Sequence, residues 1–249
     1  PRRYRDAASG GLAGAAQTKL DLAPDNEVVR GQLALSWQLP KSSMLFGTIT
    51  MSEGKQDDDF LPYTTNTALL QSNPDSLPGK SLGGKVSTLT GDVRFIARPM
   101  HNVSGVLRFH GEKYENKSEE FRFTGFSPYD AGWTATWREN RLDGRSSATF
   151  GADIDFDLTD WASLGVLGEM RGRRFAIREV EKDAETVFGA SLHLDPSDAV
   201  GFAASIRSGN RELDEFIDAD YRKYFNPDSI YLEQPLLRRF DVANRKQML

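Results

Sequence analysis

An all-β, antiparallel, up-and-down fold is predicted by three features of the 249-residue sequence: period-two alternation of apolar and polar side chains over segments of about 9 to 13 residues, short turns inside each pair of segments, and long polar links between pairs. Successive side chains of a strand point to opposite faces, so each segment separates an apolar medium from a polar one. Two architectures share this pattern. In a soluble sandwich the apolar side is a core; in a transmembrane barrel it is lipid, and the polar side lines a water-filled bore.

The first hairpin spans about residues 28–52. Val29, Gly31, Leu33, Leu35, Trp37 and Leu39 alternate with Arg30, Gln32, Ala34, Ser36 and Gln38; after the turn at Pro40, Leu45, Gly47, Ile49 and Met51 return against Phe46, Thr48, Thr50 and Ser52. The second, about 86–111, sets Leu89, Gly91, Val93, Phe95 and Ala97 against Thr88, Thr90, Asp92 and Arg94, and comes back through Gly105, Leu107 and Phe109 with Arg108 and His110 on the other parity. Its turn holds Pro99, where the missing N–H does no harm. In the third, about 147–173, Phe150, Ala152, Ile154, Phe156 and Leu158 alternate with Gly151, Asp153, Asp155 and Asp157, and the return strand carries Glu169 and Arg171 on the polar parity. The fourth, about 185–208, pairs Phe188, Ala190, Leu192 and Leu194 with Val200, Phe202, Ala204 and Ile206, leaving Arg207 on the polar side.

The sorting of connections favours the barrel. Links at about 53–85, 112–146 and 209–249 are long and polar, whereas turns inside hairpins are short. Outer-membrane barrels have this asymmetry, with the short turns in the periplasm. Strands of this length also suit a tilted bilayer crossing better than an average soluble strand of about five or six residues. Trp37, Phe95, Phe156 and Trp161 lie near the short turns, a place equally suited to interface aromatics and to a sandwich core.

Composition excludes several classes. No stretch approaches the roughly 18 to 20 consecutive apolar residues of a transmembrane helix. The 31 basic and 36 acidic residues are interspersed without a basic block, so nucleic acid is not suggested as a partner. With no Cys, the chain has no disulfides, thiolate metal sites or covalent haem attachment, and haem chemistry would belong to a partner. The start at Pro1 and the stop in a polar stretch read as an internal piece of a longer precursor. Asp57, Asp58 and Asp59 lack the alternating ligands and central Gly of a calcium loop, and His101, His110 and His193 are isolated. No catalytic or metal-binding residue is nominated, and an enzyme is not expected.

The run Leu22-Ala23-Pro24-Asp25-Asn26-Glu27, followed by Gln56-Asp57-Asp58-Asp59-Phe60-Leu61-Pro62-Tyr63-Thr64-Thr65-Asn66, resembles the MtrB/PioB family of decahaem-associated outer-membrane barrels. Leu77-Pro78, Ser81-Leu82-Gly83-Gly84 and the run from Leu237 to Arg245 add to the resemblance, which extends from about Leu22 to Arg245. It implies that the chain forms an open, curved part, about eight strands, of a larger barrel in the bacterial outer membrane. It further implies a sheath that holds a periplasmic multihaem c-type cytochrome, so that electrons cross the membrane on haems carried by that partner and no cofactor is bound by this chain. An extracellular multihaem cytochrome would meet the long loops. Under this reading Arg30, Asp92, Arg94, Arg108, His110, Asp153, Asp155, Glu169, Arg171 and Arg207 are candidates to line the bore. Asp25, Asn26, Gln56, Asp57, Asp58, Phe60, Leu61, Pro62, Tyr63 and Asn66 form the family-motif loop. A general porin, with residues 112–146 as its constriction loop, and a soluble carbohydrate-binding sandwich using Tyr129, Trp133 and Trp137 remain as alternatives.

Overall fold

The computed structural model describes residues 2–4, 18–20, 25–62, 77–125, 135, 137–178, 180–197, 199–214 and 245–248. Thirteen strands account for their regular structure. Two short pairs stand apart: β1 (Arg2–Tyr4) with β2 (Thr18–Leu20), and β7 (Arg122–Phe123) with β8 (Arg138–Glu139). The remaining nine form one sheet: β3 (Glu27–Leu39), β4 (Ser43–Gln56), β5 (Gly84–Met100), β6 (Val103–Asn116), β9 (Arg145–Thr159), β10 (Ala162–Phe175), β11 (Lys182–Ser197), β12 (Val200–Leu213) and β13 (Arg245–Met248). Every neighbour in this sheet is antiparallel and adjacent in chain order, apart from the excursion through β7 and β8. The sheet is open, with β3 and β13 at its edges.

The strands run past the bounds expected from alternation. β4 continues to Gln56, β6 to Asn116 and β12 to Leu213, because cross-strand ion pairs there replace apolar partners. Residues 209–249 are therefore not wholly loop. They begin as strand, and Arg245–Met248 pairs with Ser208–Arg211 as a ninth strand.

Among the described residues no hydrophobic core lies behind this sheet. Among the described residues the buried apolar side chains are Ala162 and Val180, whereas Leu35, Trp37 and Phe188 are 67%, 66% and 63% exposed. Side chains of this kind gain about 1.5–3 kcal/mol each on leaving water, so a face of them is stable only against an apolar medium. A sandwich would have covered it with a second sheet.

Register turns this bare face into a measurement of tilt. Met51 lies in one cross-strand row with Leu89, Lys113, Ser146, Arg174, Lys182 and, by its N–H to the Lys182 carbonyl, Asp214. The last large outward apolar residue of each strand lies on that row or below it: Met51 and Leu89 on it, Phe109, Phe150 and Met170 four residues below, Phe188 six, and Ile206 eight, with the small Ala148 and Ala184 nearer to it. Eight residues are about 27 Å of strand, and the six interstrand spacings crossed are about 29 Å, which corresponds to an inclination of roughly 43°. The turns descend in the same sense. Relative to the row Met44–Ile96–Val106–Asp153–Leu167–Gly189–Arg207, the four return strands begin one, three, five and seven residues lower, at Ser43, Val103, Ala162 and Val200. Two residues per hairpin give about 35°. Both figures fall in the ~35–45° range of strands crossing a membrane. The apolar belt of β5, Leu89 to Ala97, is then about 21 Å tall along the membrane normal, close to the ~25 Å band of such barrels.

Candidate functional site on the polar face of the sheet

The opposite parity builds one connected polar surface. Alternation puts Arg108 of β6, Asp153 of β9, Glu169 and Arg171 of β10, Glu185 of β11 and Arg211 of β12 on it, and register brings them together. Arg108 pairs with Asp153 through Nη1 and reaches Glu169 through Nη2 at 3.4 Å. Arg171 holds the other oxygen of Glu169 at 3.3 Å and approaches Glu185 at 4.0 Å, while its Nε donates to the Thr149 hydroxyl at 3.3 Å. Arg211 closes the chain on Glu185 at 3.2 Å. Cations and anions alternate across five strands. The ladder is half-exposed at Arg108 and buried at Arg211.

One glycine makes the central link possible. Gly151 lies opposite Arg108, and a Cβ there would sit 2.5 Å from the arginine Nε. The guanidinium therefore crosses β9 over bare backbone to reach Glu169 on the far side. Gly165 plays a similar part for Asp155, whose carboxylate would lie 2.9 Å from a Cβ at that position.

Flanking pairs extend the surface. His110 Nδ1 and Asp92 Oδ1 are 2.7 Å apart. Arg173 donates to both oxygens of Asp183 at 2.8 and 2.6 Å, and Arg145 meets Glu112 at 2.9 Å. Of the residues nominated from sequence, Arg108, Asp153, Glu169 and Arg171 thus share one network, and Asp92 with His110 form a pair. Arg30, Arg94 and Arg207 stand on the same face with no ion pair among the described residues.

Sequence reading missed several members. Glu185, Arg211, Arg173 and Asp183 fell at or beyond the expected hairpin ends, although extending the parity by two to four residues finds them all. It also missed an apolar strip inside the polar face. Met44, Phe46, Ile96 and Val106 are neighbours on β4, β5 and β6 with side chains on the polar parity. Leu167 lies farther along the same row and closes over Gly189, where a Cβ would be 3.1 Å away.

The motif loop has its own organisation at the long-link end. The N–H of Asp25 donates to the Asp58 carboxylate at 2.9 Å, Asp59 bridges Ser81, and the N–H of Phe60 donates to the Lys80 carbonyl at 2.8 Å. Phe60 meets Phe121 and Phe123 edge-on at 6.3 Å each, so the links 57–62 and 117–123 are joined by an aromatic cluster. Asn140 completes it, donating to the Glu119 carbonyl and accepting from the Phe121 N–H at 2.7 Å. Asn26, Gln56, Asp57, Leu61 and Pro62 are described, whereas Tyr63 and Asn66, together with Tyr129 and Trp133, lie outside the described residues.

A sheet of tilted long strands, apolar outside and charged within, meets a decisive comparison: residues 3–249 match the model of the outer membrane beta-barrel porins MtrB/PioB. The chain belongs to the MtrB/PioB family. No curated protein matches it. Membership in MtrB/PioB places the chain with outer-membrane barrels, a class in which short turns are periplasmic and long loops extracellular. Among the described residues of this MtrB/PioB chain no cluster of three metal-ligating side chains occurs.

Proposed function

We propose that this chain is part of the wall of an outer-membrane conduit whose polar face encloses a periplasmic multihaem c-type cytochrome, allowing electrons to cross the membrane on haems shielded from lipid. The observation that carries this reading is the self-paired ladder from Asp153 to Arg211 beside the apolar strip of Met44, Phe46, Ile96 and Val106. A wall that meets a folded protein must be desolvated in part. Charges already neutralised by neighbours lose less on desolvation than isolated ones, and an apolar strip gains by it. Arg94 and Arg207, which hold no carboxylate among the described residues, are available for acidic groups of the partner. The absence of Cys leaves haem attachment to that partner.

The test is co-purification from detergent extracts of the full-length barrel with its cytochrome, followed by haem staining. Reversing Arg94 and Arg207 to Glu together with Phe46→Glu is expected to reduce haem per barrel severalfold while the barrel remains heat-modifiable on gels. Wild-type haem content in that variant refutes the docking face. The second reading is a solute channel, for which vesicles holding the barrel alone pass sugars and ions at rates that these substitutions alter and a cytochrome does not block.

A further inference from the structure

Beyond its ion pairs, the polar face carries charges sorted by sign. β5 holds Arg94 and Arg98 on either side of Ile96, and neither meets a carboxylate among the described residues. β9 holds Asp155 and Asp157 and β11 holds Asp195, and none of these meets a cation among the described residues. The inclination of the sheet brings both sets to one level. The turns descend two residues per hairpin, or one per strand; relative to the row through Ile96, Asp153 and Gly189, Asp155 is therefore level with Ile96, and Asp157 and Asp195 are level with Arg98. The aspartates of β9 stand two strands from β5, about 10 Å, and Asp195 four strands, about 19 Å. Among the described residues of β9, β10 and β11 no Lys or Arg of the polar face shares this level, although His193 does. Arg207 lies on the row itself, five strands from β5, and so stands about 13 Å higher than Ile96.

The two sides differ in relief as well as in sign. Phe46 lies opposite Arg94, and Met44 and Val106 lie on either side of Ile96, so the two guanidiniums bracket an apolar patch. The aspartate side is shallow: Asp155 leans over Gly165 and Asp195 over Gly201, where a Cβ would stand 2.9 and 2.6 Å from their carboxylate oxygens. Ser163, Ser191 and Ala203 are their neighbours on the same face. Holding like charges together costs stability. Arg94 is directly opposite Arg108, and Asp153, Asp155 and Asp157 occupy successive positions of one face, about 7 Å apart. Wetting the wall does not require this, since β4 does it on the same face with Thr48, Thr50 and Ser52. A surface of opposite sign on each side removes the repulsion.

We propose that these two sets key the occupant of the bore, so that the enclosed cytochrome seats in one rotational setting. It presents carboxylates flanking an apolar stretch to Arg94, Ile96 and Arg98, and a surface bearing Lys or Arg to Asp155, Asp157 and Asp195. Complementary charges at separate points of a face fix register and exclude wrong orientations more than they add affinity. A neutral occupant leaves both sets unmatched, and one of a single sign leaves one of them. The inference rests on the cytochrome reading and adds to it the sidedness of the partner.

The test uses the full-length barrel with its cytochrome in detergent. Photoreactive benzoylphenylalanine replaces Ile96 in one variant and Ser191 in another, and the peptides crosslinked on irradiation are mapped by mass spectrometry. Position 96 is expected to capture one cytochrome segment bearing Asp or Glu, and position 191 a different segment bearing Lys or Arg. Haem retained per barrel is then measured for Arg94→Gln with Arg98→Gln, and for Asp155→Asn with Asp157→Asn and Asp195→Asn. Each set is expected to lose haem severalfold at a salt concentration that the wild type withstands. The crosslinks are made with every one of these charges intact, so they decide the matter where a charge variant fails to fold. Crosslinks from each position that spread over several faces of the cytochrome, or that reverse the two chemistries, overturn the keyed seating and leave the cytochrome reading standing. Unchanged retention in both sets of variants does the same. A wild-type barrel that brings down no haem overturns the reading itself, and the inference with it.

Discussion

Placing one arginine at three positions of β5 separates lipid, interface and bore. Val93 is the middle outward residue of the belt that runs from Leu89 to Ala97, and it is 44% exposed with no second layer of protein above it. Leu89 is the last apolar residue before the polar border, about 10 Å nearer the outside along the membrane normal. Thr90 is adjacent in sequence but stands on the opposite, polar face, in register with Thr50 and Glu112. An arginine at the midplane of a barrel's lipid face costs about 2–4 kcal/mol, and one near the interface about 0–1. Val93→Arg is therefore expected to destabilise the full-length barrel by about 2–4 kcal/mol, Leu89→Arg by less than about 1, and Thr90→Arg by little, since Glu112 offers it a partner. Guanidinium titration in phospholipid vesicles measures all three. On a water-exposed strand the three substitutions would fall within about 0.5 kcal/mol of one another. Such a result, or a Thr90→Arg cost equal to that of Val93→Arg, refutes the assignment of faces.

Further outcomes follow from the polar face and the rims. The Asp183 side chain is fully buried beneath Arg173, so Arg173→Ala leaves a carboxylate without its bidentate partner and should cost about 3 kcal/mol in the same titration, against about 0–1 for Arg108→Ala in the half-exposed part of the ladder. Gly151→Ala pushes Arg108 off its path to Glu169, and a double-mutant cycle between Arg108 and Glu169 should lose its coupling in that background. Lys41 and Ser42 both adopt positive φ, at 58° and 54°, so Ser42→Gly is expected to raise stability by about 1 kcal/mol. Beyond the belt, hydrogen bonding to Lys85 and then Lys55 holds the Glu53 carboxyl below its ordinary 4.5, and Lys113 does the same for Glu115. A carboxyl with a depressed folded pKa contributes stability that is present above 4.5 and lost as pH falls through the folded value. Carbon-detected NMR of the two side chains should show midpoints below 4.5, and a midpoint above it refutes the pairing.

Period-two alternation made the fold class legible, because a strand exposed to two media records both in its side chains. The same record gave the face of every charged residue nominated for the bore. Two things were not legible. Strand ends beyond the belt lose the alternation, since Lys55, Lys113 and Arg174 occupy outward positions that no longer meet lipid, and so alternation alone ends β4, β6 and β10 early. Partnership was also hidden. Arg108 and Glu169 are 61 residues apart, and nothing in either segment says that they meet across Gly151.

The staircase of the belt explains why register, rather than composition, distinguishes a membrane wall from a half-buried sheet. Each strand taken alone ends its apolar run at a position without evident logic: Met51, Phe109, Phe188 and Ile206 have no common spacing in sequence. Joined by their hydrogen-bonded rows, these ends descend across the sheet in one sense, and the turns at the other end descend in the same sense with a similar mean slope. Two parallel borders crossing a set of tilted strands mark a slab of uniform thickness. A protein core follows the shape of whatever packs against it and has no reason to be bounded so. A bilayer does, because hydrocarbon begins and ends at fixed depths for every strand that crosses it. The borders also fix the height of each outward residue without reference to any other protein.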